Sequence, residues 1–165
     1  MISKSVRRPV AVVAAIAALG LASVPASATS QSGSASATIL TQIVVTAGTA
    51  MAFGSIAPSA AGGAVVLQPN GTIPAVVGFA FGGAPAAGTF SVSGASGQPV
   101  NISFSSGNTL TGPGTAMPLG TFTTSGAPAT FGASAFTLNV GATLTVNANQ
   151  TAGAYNGTYT VSVDY

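Results

Sequence analysis

An all-β fold, an antiparallel β-sandwich, is predicted by three observations. Apolar and polar residues alternate in short runs, clusters of Gly, Pro, Asn and Ser separate those runs, and no stretch beyond residue 28 sustains a helical period with caps. Near the start of this region Ala35, Ala37, Ile39, Ile43 and Val45 share one parity, with Thr41 interrupting them. Further alternation of period two runs through Thr89 to Ser93, Val100 to Phe104, Phe136 to Val140 and Thr143 to Asn147. Turn signals bound these runs at Gly62-Gly63, Gly82 to Pro85, Gly94 to Pro99, Gly112 to Gly114, Gly126 to Pro128 and Gly141. The last run, Gly157 to Tyr165, sets Tyr159, Val161, Val163 and Tyr165 on one face and Thr158, Thr160, Ser162 and Asp164 on the other. Strands with one apolar side each must bury it against another layer, which makes a sandwich. No repeat of fixed period occurs, which argues against a solenoid or propeller.

The first residues read differently. Lys4, Arg7 and Arg8 precede an apolar run from Val10 to Ala22, then Pro25 and the small triplet Ala26-Ser27-Ala28, the layout of a secretory signal peptide cleaved after Ala28. The run is shorter than the roughly 20 residues a spanning helix needs, so no membrane span is expected in the mature chain. Residues 1–28 are thus expected to be a removable leader, 29–34 a flexible Ser/Gly-rich lead-in and 35–165 one β-sandwich domain.

Charge narrows the function. Beyond residue 28 there is no Lys, Arg, His, Cys or Glu and a single Asp, Asp164. General acid–base work needs a proton carrier of tunable pKa, and covalent catalysis needs a base beside the nucleophile, so the expectation is no enzyme and no catalytic residue. One carboxylate without imidazole or thiolate assembles no metal site, and no cofactor is expected. Nucleic acid is not an expected partner, because no basic side chain remains to neutralise phosphate. Without Cys there is no disulfide framework, and without Lys no Lys–Asn isopeptide staple. Soluble monomers carry about a quarter charged residues, so a nearly uncharged chain is poorly protected against self-association. Disorder would explain the composition too, but the regularly placed Val, Ile, Leu and Phe favour a folded protein that lives in an assembly.

Several runs carry a family resemblance. They are Ala37-Thr38-Ile39, Met51 to Ile56, Leu138 to Val146, and above all Gly153-Ala154-Tyr155-Asn156-Gly157-Thr158-Tyr159 continuing to Tyr165. With these the chain resembles the bacterial exported family catalogued as domain of unknown function 4402, which is similar in turn to the spore-coat-U-like pilins of archaic chaperone–usher systems. The resemblance implies an immunoglobulin-like sandwich that is incomplete and completed by a donated strand. It implies as partners other subunits of the same or a related type, a periplasmic chaperone and an outer-membrane usher. Tyr159, Val161, Val163 and Tyr165 would form the strand the chaperone pairs with, and the region of Ala35, Ala37, Ile39, Ile43 and Val45 the donor segment. Periodicity alone favours reading that same N-terminal region as the first strand of the chain's own sandwich over a strand donated to a neighbour. The chain departs from many such pilins in lacking Cys and in ending on its aromatic residue.

The reading that follows is a non-enzymatic structural subunit of a surface fibre or coat, exported through the periplasm to the cell surface. The alternative is a self-contained secreted module that binds carbohydrate or another surface ligand. Phe90, Phe104, Phe122 and Phe136 could supply a sugar-stacking platform, but they fall within alternating strands and read as core. Asn70, Asn101, Asn149 and Asn156 begin Asn-x-Ser/Thr sequons, read as products of composition; Asn70-Gly71 and Asn156-Gly157 are more simply turn dipeptides. Asp164 falls on the polar face of its strand, where a solvated charge is expected.

Overall fold

The computed structural model describes residues 27–58 and 60–165, and among them there is no helix. The basic and apolar stretches of the expected leader lie outside the described residues. The chain divides into Met1–Ala37 and Thr38–Tyr165. Residues 27–37 are exposed and belong to no strand, so the compact unit begins a little after the expected boundary at Ala35.

Within that unit the strands are β1 (Val44–Ala47), β2 (Ser55–Ala57), β3 (Gly63–Leu67), β4 (Ala80–Gly82), β5 (Gly88–Ser93), β6 (Asn101–Phe104), β7 (Asn108–Leu110), β8 (Met117–Ser125), β9 (Phe136–Val146) and β10 (Val161–Asp164). Every pairing is antiparallel. The main sheet runs β1-β5-β9-β8-β7, and β9 is its axis. Being long, β9 holds two neighbours on one edge, β5 along Phe136–Val140 and β3 along Ala142–Val146, while β8 follows the other edge. The sequence pattern predicts two strands here with a turn at Gly141; the structure runs straight through. Gly141 is buried, and a Cβ there would collide with the Leu67 carbonyl and with Gln68 and Pro69. The glycine marks a close backbone approach within a strand.

Alternation along β9 then sorts its side chains. Leu138, Val140, Ala142, Leu144 and Val146 are buried, whereas Thr137 and Thr145 face solvent. Each buried Leu or Val stabilises the fold by about 1.5–3 kcal/mol. Two core clusters result. One gathers Val65, Leu67, Leu119, Leu144 and Val146, the other Val92, Phe131, Leu138 and Val140, and Met51, Phe122 and Tyr159 pack against both.

The second cluster is covered by a two-stranded layer in which Val161 to Asp164 of β10 face Phe104 to Asn101 of β6. Ile102, Phe104, Val161 and Val163 pack from this layer onto the main sheet. An order of β1-β5-β9-β8 facing β6-β10 is consistent with the ABED and CFG sheets of an immunoglobulin-like sandwich, with no strand among the described residues in the place of G. A bulge between Gly120 and Thr123 of β8, with Thr121 at a φ of 46°, turns Phe122 inward. Its ring stacks on Phe104 at 4.7 Å and meets Tyr159 at 5.2 Å. A small separate pair, β2 with β4, packs against the first cluster through its own Ile56 and Phe81.

Candidate functional site

The last strand is paired along one edge. Its ladder with β6 extends backwards, since the Ser105 N–H donates to the Thr160 carbonyl at 3.0 Å and Thr111 and Asn156 exchange two backbone hydrogen bonds at 2.8 and 2.9 Å. Among the described residues no strand pairs with the opposite edge of β10. The predicted faces are those observed. Tyr159, Val161, Val163 and Tyr165 are half-buried against the second cluster, and Thr158, Thr160, Ser162 and Asp164 are exposed.

Beyond the reach of the β6–β10 layer the inner face of the main sheet opens into a groove of about 920 Å³. Residues 51–58 form one wall and residues 150–157 the other, over Met117, Leu119, Leu144 and Val146, with Tyr159 at the junction with the covered core. Uncharged hydrogen bonds brace both walls. Ala52 and Ala86 exchange backbone bonds at 2.8 Å. Asn147 Nδ2 donates to Gln150 Oε1 at 3.0 Å, and Gln150 Nε2 donates to the Thr115 carbonyl at 2.6 Å. The Tyr155 hydroxyl donates to the Thr151 carbonyl at 2.8 Å and accepts from the Gly114 N–H at 2.9 Å. Burial pushes the Tyr159 hydroxyl above its ordinary pKa of 10.0, so it is a neutral group at physiological pH. A groove with an apolar floor and an uncharged rim, ending at Tyr159 just before a strand with an unpaired edge, suits an extended peptide: alternate side chains go to the floor and backbone bonds to an edge.

The structure divides the predicted donor segment. Ala35 and Ala37 are exposed in the lead, and Ile39 is 89% exposed. Ile43 instead packs against the second cluster, and Val45 lies in β1 opposite Val92, so both are built into the chain's own sandwich. The physical reason is the neighbour each meets: β5 offers a strand edge to Val44–Ala47, and nothing comparable holds Ile39. The chain enters the domain at Thr41, whose carbonyl accepts a hydrogen bond from the Tyr165 hydroxyl, while that hydroxyl accepts from the Ala95 N–H at 2.8 Å.

Met51, Phe53, Met117 and Tyr155 line the groove and were not singled out by alternation. Met51 and Phe53 lie outside any strand, and Met117 opens β8 directly after a loop, so no long periodic run surrounds them. Met51 and Phe53 fall in the Met51 to Ile56 stretch of the family resemblance and Tyr155 in its C-terminal run, whereas Met117 falls in neither. The rings expected as core are half-buried or buried: none of the Phe or Tyr side chains falls in the exposed class. Among the described residues no three His, Cys, Asp or Glu side chains gather as metal ligands.

An antiparallel all-β domain with an open, largely apolar groove is the class of protein that the geometry defines. The chain belongs to the family described as Domain of unknown function (DUF4402), which matches residues 43–165. That match begins at Ile43, where the side chains first join the core. No curated protein and no solved structure matches the chain.

Proposed function

We propose that this chain is a non-enzymatic, exported structural subunit of a surface fibre or coat that assembles by β-strand addition. The observations that carry the reading are an edge of β10 that no strand among the described residues pairs, where a CFG layer would hold its seventh strand, and an open groove that reaches Tyr159, two residues before β10. An extended segment laid there gains backbone hydrogen bonds from the edge and buries alternate side chains. The donor is the exposed lead of another copy, with Ala35, Ala37 and Ile39 as its inward residues. Before assembly a periplasmic chaperone pairs with the same strand, on which Tyr159, Val161, Val163 and Tyr165 already face the core, and an outer-membrane usher exchanges it for the donor. Near-absence of charge supports the reading, because nothing repels one copy from the next.

The test compares Ile39→Asp with Ile43→Asp in the exported chain by light scattering after size exclusion and by circular dichroism. Ile39→Asp is expected to stay folded and lose association, because the charge must enter a neighbour's apolar groove unpaired. Ile43→Asp is expected to lose fold, because its side chain packs in its own domain. A parent chain that stays monomeric at high concentration, or an Ile39→Asp variant that associates like the parent, overturns the proposal.

A further inference from the structure

Sulfur occurs in this chain only as Met1, Met51 and Met117, and the latter two both line the groove. Cys, His and Trp are absent, so beyond Met1 these two thioethers are the side chains open to a mild peroxide. Their surroundings differ. Met117 opens β8 and is 6% exposed within the first core cluster. Met51 is only half-buried, lies outside any strand, and stands where the two clusters meet beside the junction residue Tyr159.

We propose that Met51 is an oxidation site that controls access to the groove, with a peroxide as its co-substrate. The peroxide O–O bond breaks and one oxygen bonds to the Met51 sulfur, which gives up two electrons. The other oxygen leaves as water with the two peroxide hydrogens. The product sulfoxide places a polar, strongly hydrated group on a wall whose side chains, Ser55 apart, are apolar, and a strand that enters with Ala35, Ala37 and Ile39 facing inward must strip its water while those side chains offer no donor in return. Oxidation therefore weakens strand capture, and reduction of the sulfoxide restores it. The consequence for capture rests on the strand-acceptor reading of the groove; the selectivity for Met51 rests on exposure alone.

The exported chain is treated with dilute hydrogen peroxide, and sulfoxide is mapped by peptide mass spectrometry over time. Binding of a synthetic peptide of residues 34–42, which contains no methionine, is measured before oxidation, after it, and after methionine sulfoxide reductase treatment. Met51 sulfoxide is expected to form several-fold faster than Met117 sulfoxide, with a parallel several-fold loss of peptide affinity that the reductase reverses. In Met51→Leu, whatever peptide binding remains is expected to be insensitive to peroxide. Equal or faster oxidation of Met117 overturns the site assignment. Unchanged affinity in protein carrying Met51 sulfoxide overturns the control of access. A peptide that fails to bind the untreated chain sinks the strand-acceptor reading and access control with it, while the order of oxidation still decides the site.

Discussion

Thr121 is exposed and sits at a φ of 46°, a conformation that β-branched residues avoid. The bulge there lets Phe122 stack on Phe104, so local strain in the backbone is offset by aromatic packing in the core. Replacing Thr121 by Gly is expected to leave stability unchanged or raise it by up to about 1 kcal/mol, relief of the Cβ clash being partly offset by glycine's entropy. The control, Thr145→Gly on extended β9, is expected to lose about 1 kcal/mol in the same urea denaturation. Equal losses at both sites would mean that the bulge imposes no strain. Tyr165 tests a different bond. Tyr165→Phe keeps the ring against Phe131 but removes the hydroxyl that joins Thr41 and Ala95. A loss of about 1–2 kcal/mol is expected, with faster amide hydrogen exchange at Ala95.

At the scale of the element, β10 shows how far alternation alone carries. Val163 and Asp164 are adjacent, yet one packs in the core and the other faces water. Asp164→Asn is therefore expected to change stability by no more than about 0.5 kcal/mol, and Val163→Asp to cost at least about 2 kcal/mol. Thermal unfolding of the two variants checks the pair, and similar losses would show the strand in the opposite register. The faces of β5, β6, β9 and β10 were legible because a strand has a period of two and one side wet. Gly141 misled because glycine signals both a turn and a close approach, and only the Leu67–Pro69 backbone beside it tells which. The N-terminal region was ambiguous for a related reason. Ile39 and Ile43 share parity and residue type, and their fates differ only because the core reaches one of them.

Across the whole molecule, neutrality governs the response to solution conditions. No side chain beyond residue 28 has an ordinary pKa between about 5 and 9, because His and Cys are absent. Tyr159 is the group with a raised pKa, from burial, so its protonated form is favoured in the folded state. The sign follows from linkage: this contribution is fully present below the unfolded value near 10.0 and is lost as pH rises through the higher folded value. Stability is thus expected to be flat from about pH 5 to 9 and to fall above about 10, a fall that Tyr159→Phe should lessen. A marked slope near neutrality in urea midpoints would contradict this. By itself the sequence determined the fold class and the faces of β5, β6, β9 and β10, since alternation is a local property of the chain. Which strands share β9, where the groove opens and which methionines line it were decided only by the tertiary structure. These depend on contacts between residues far apart in sequence, and local periodicity carries no record of them.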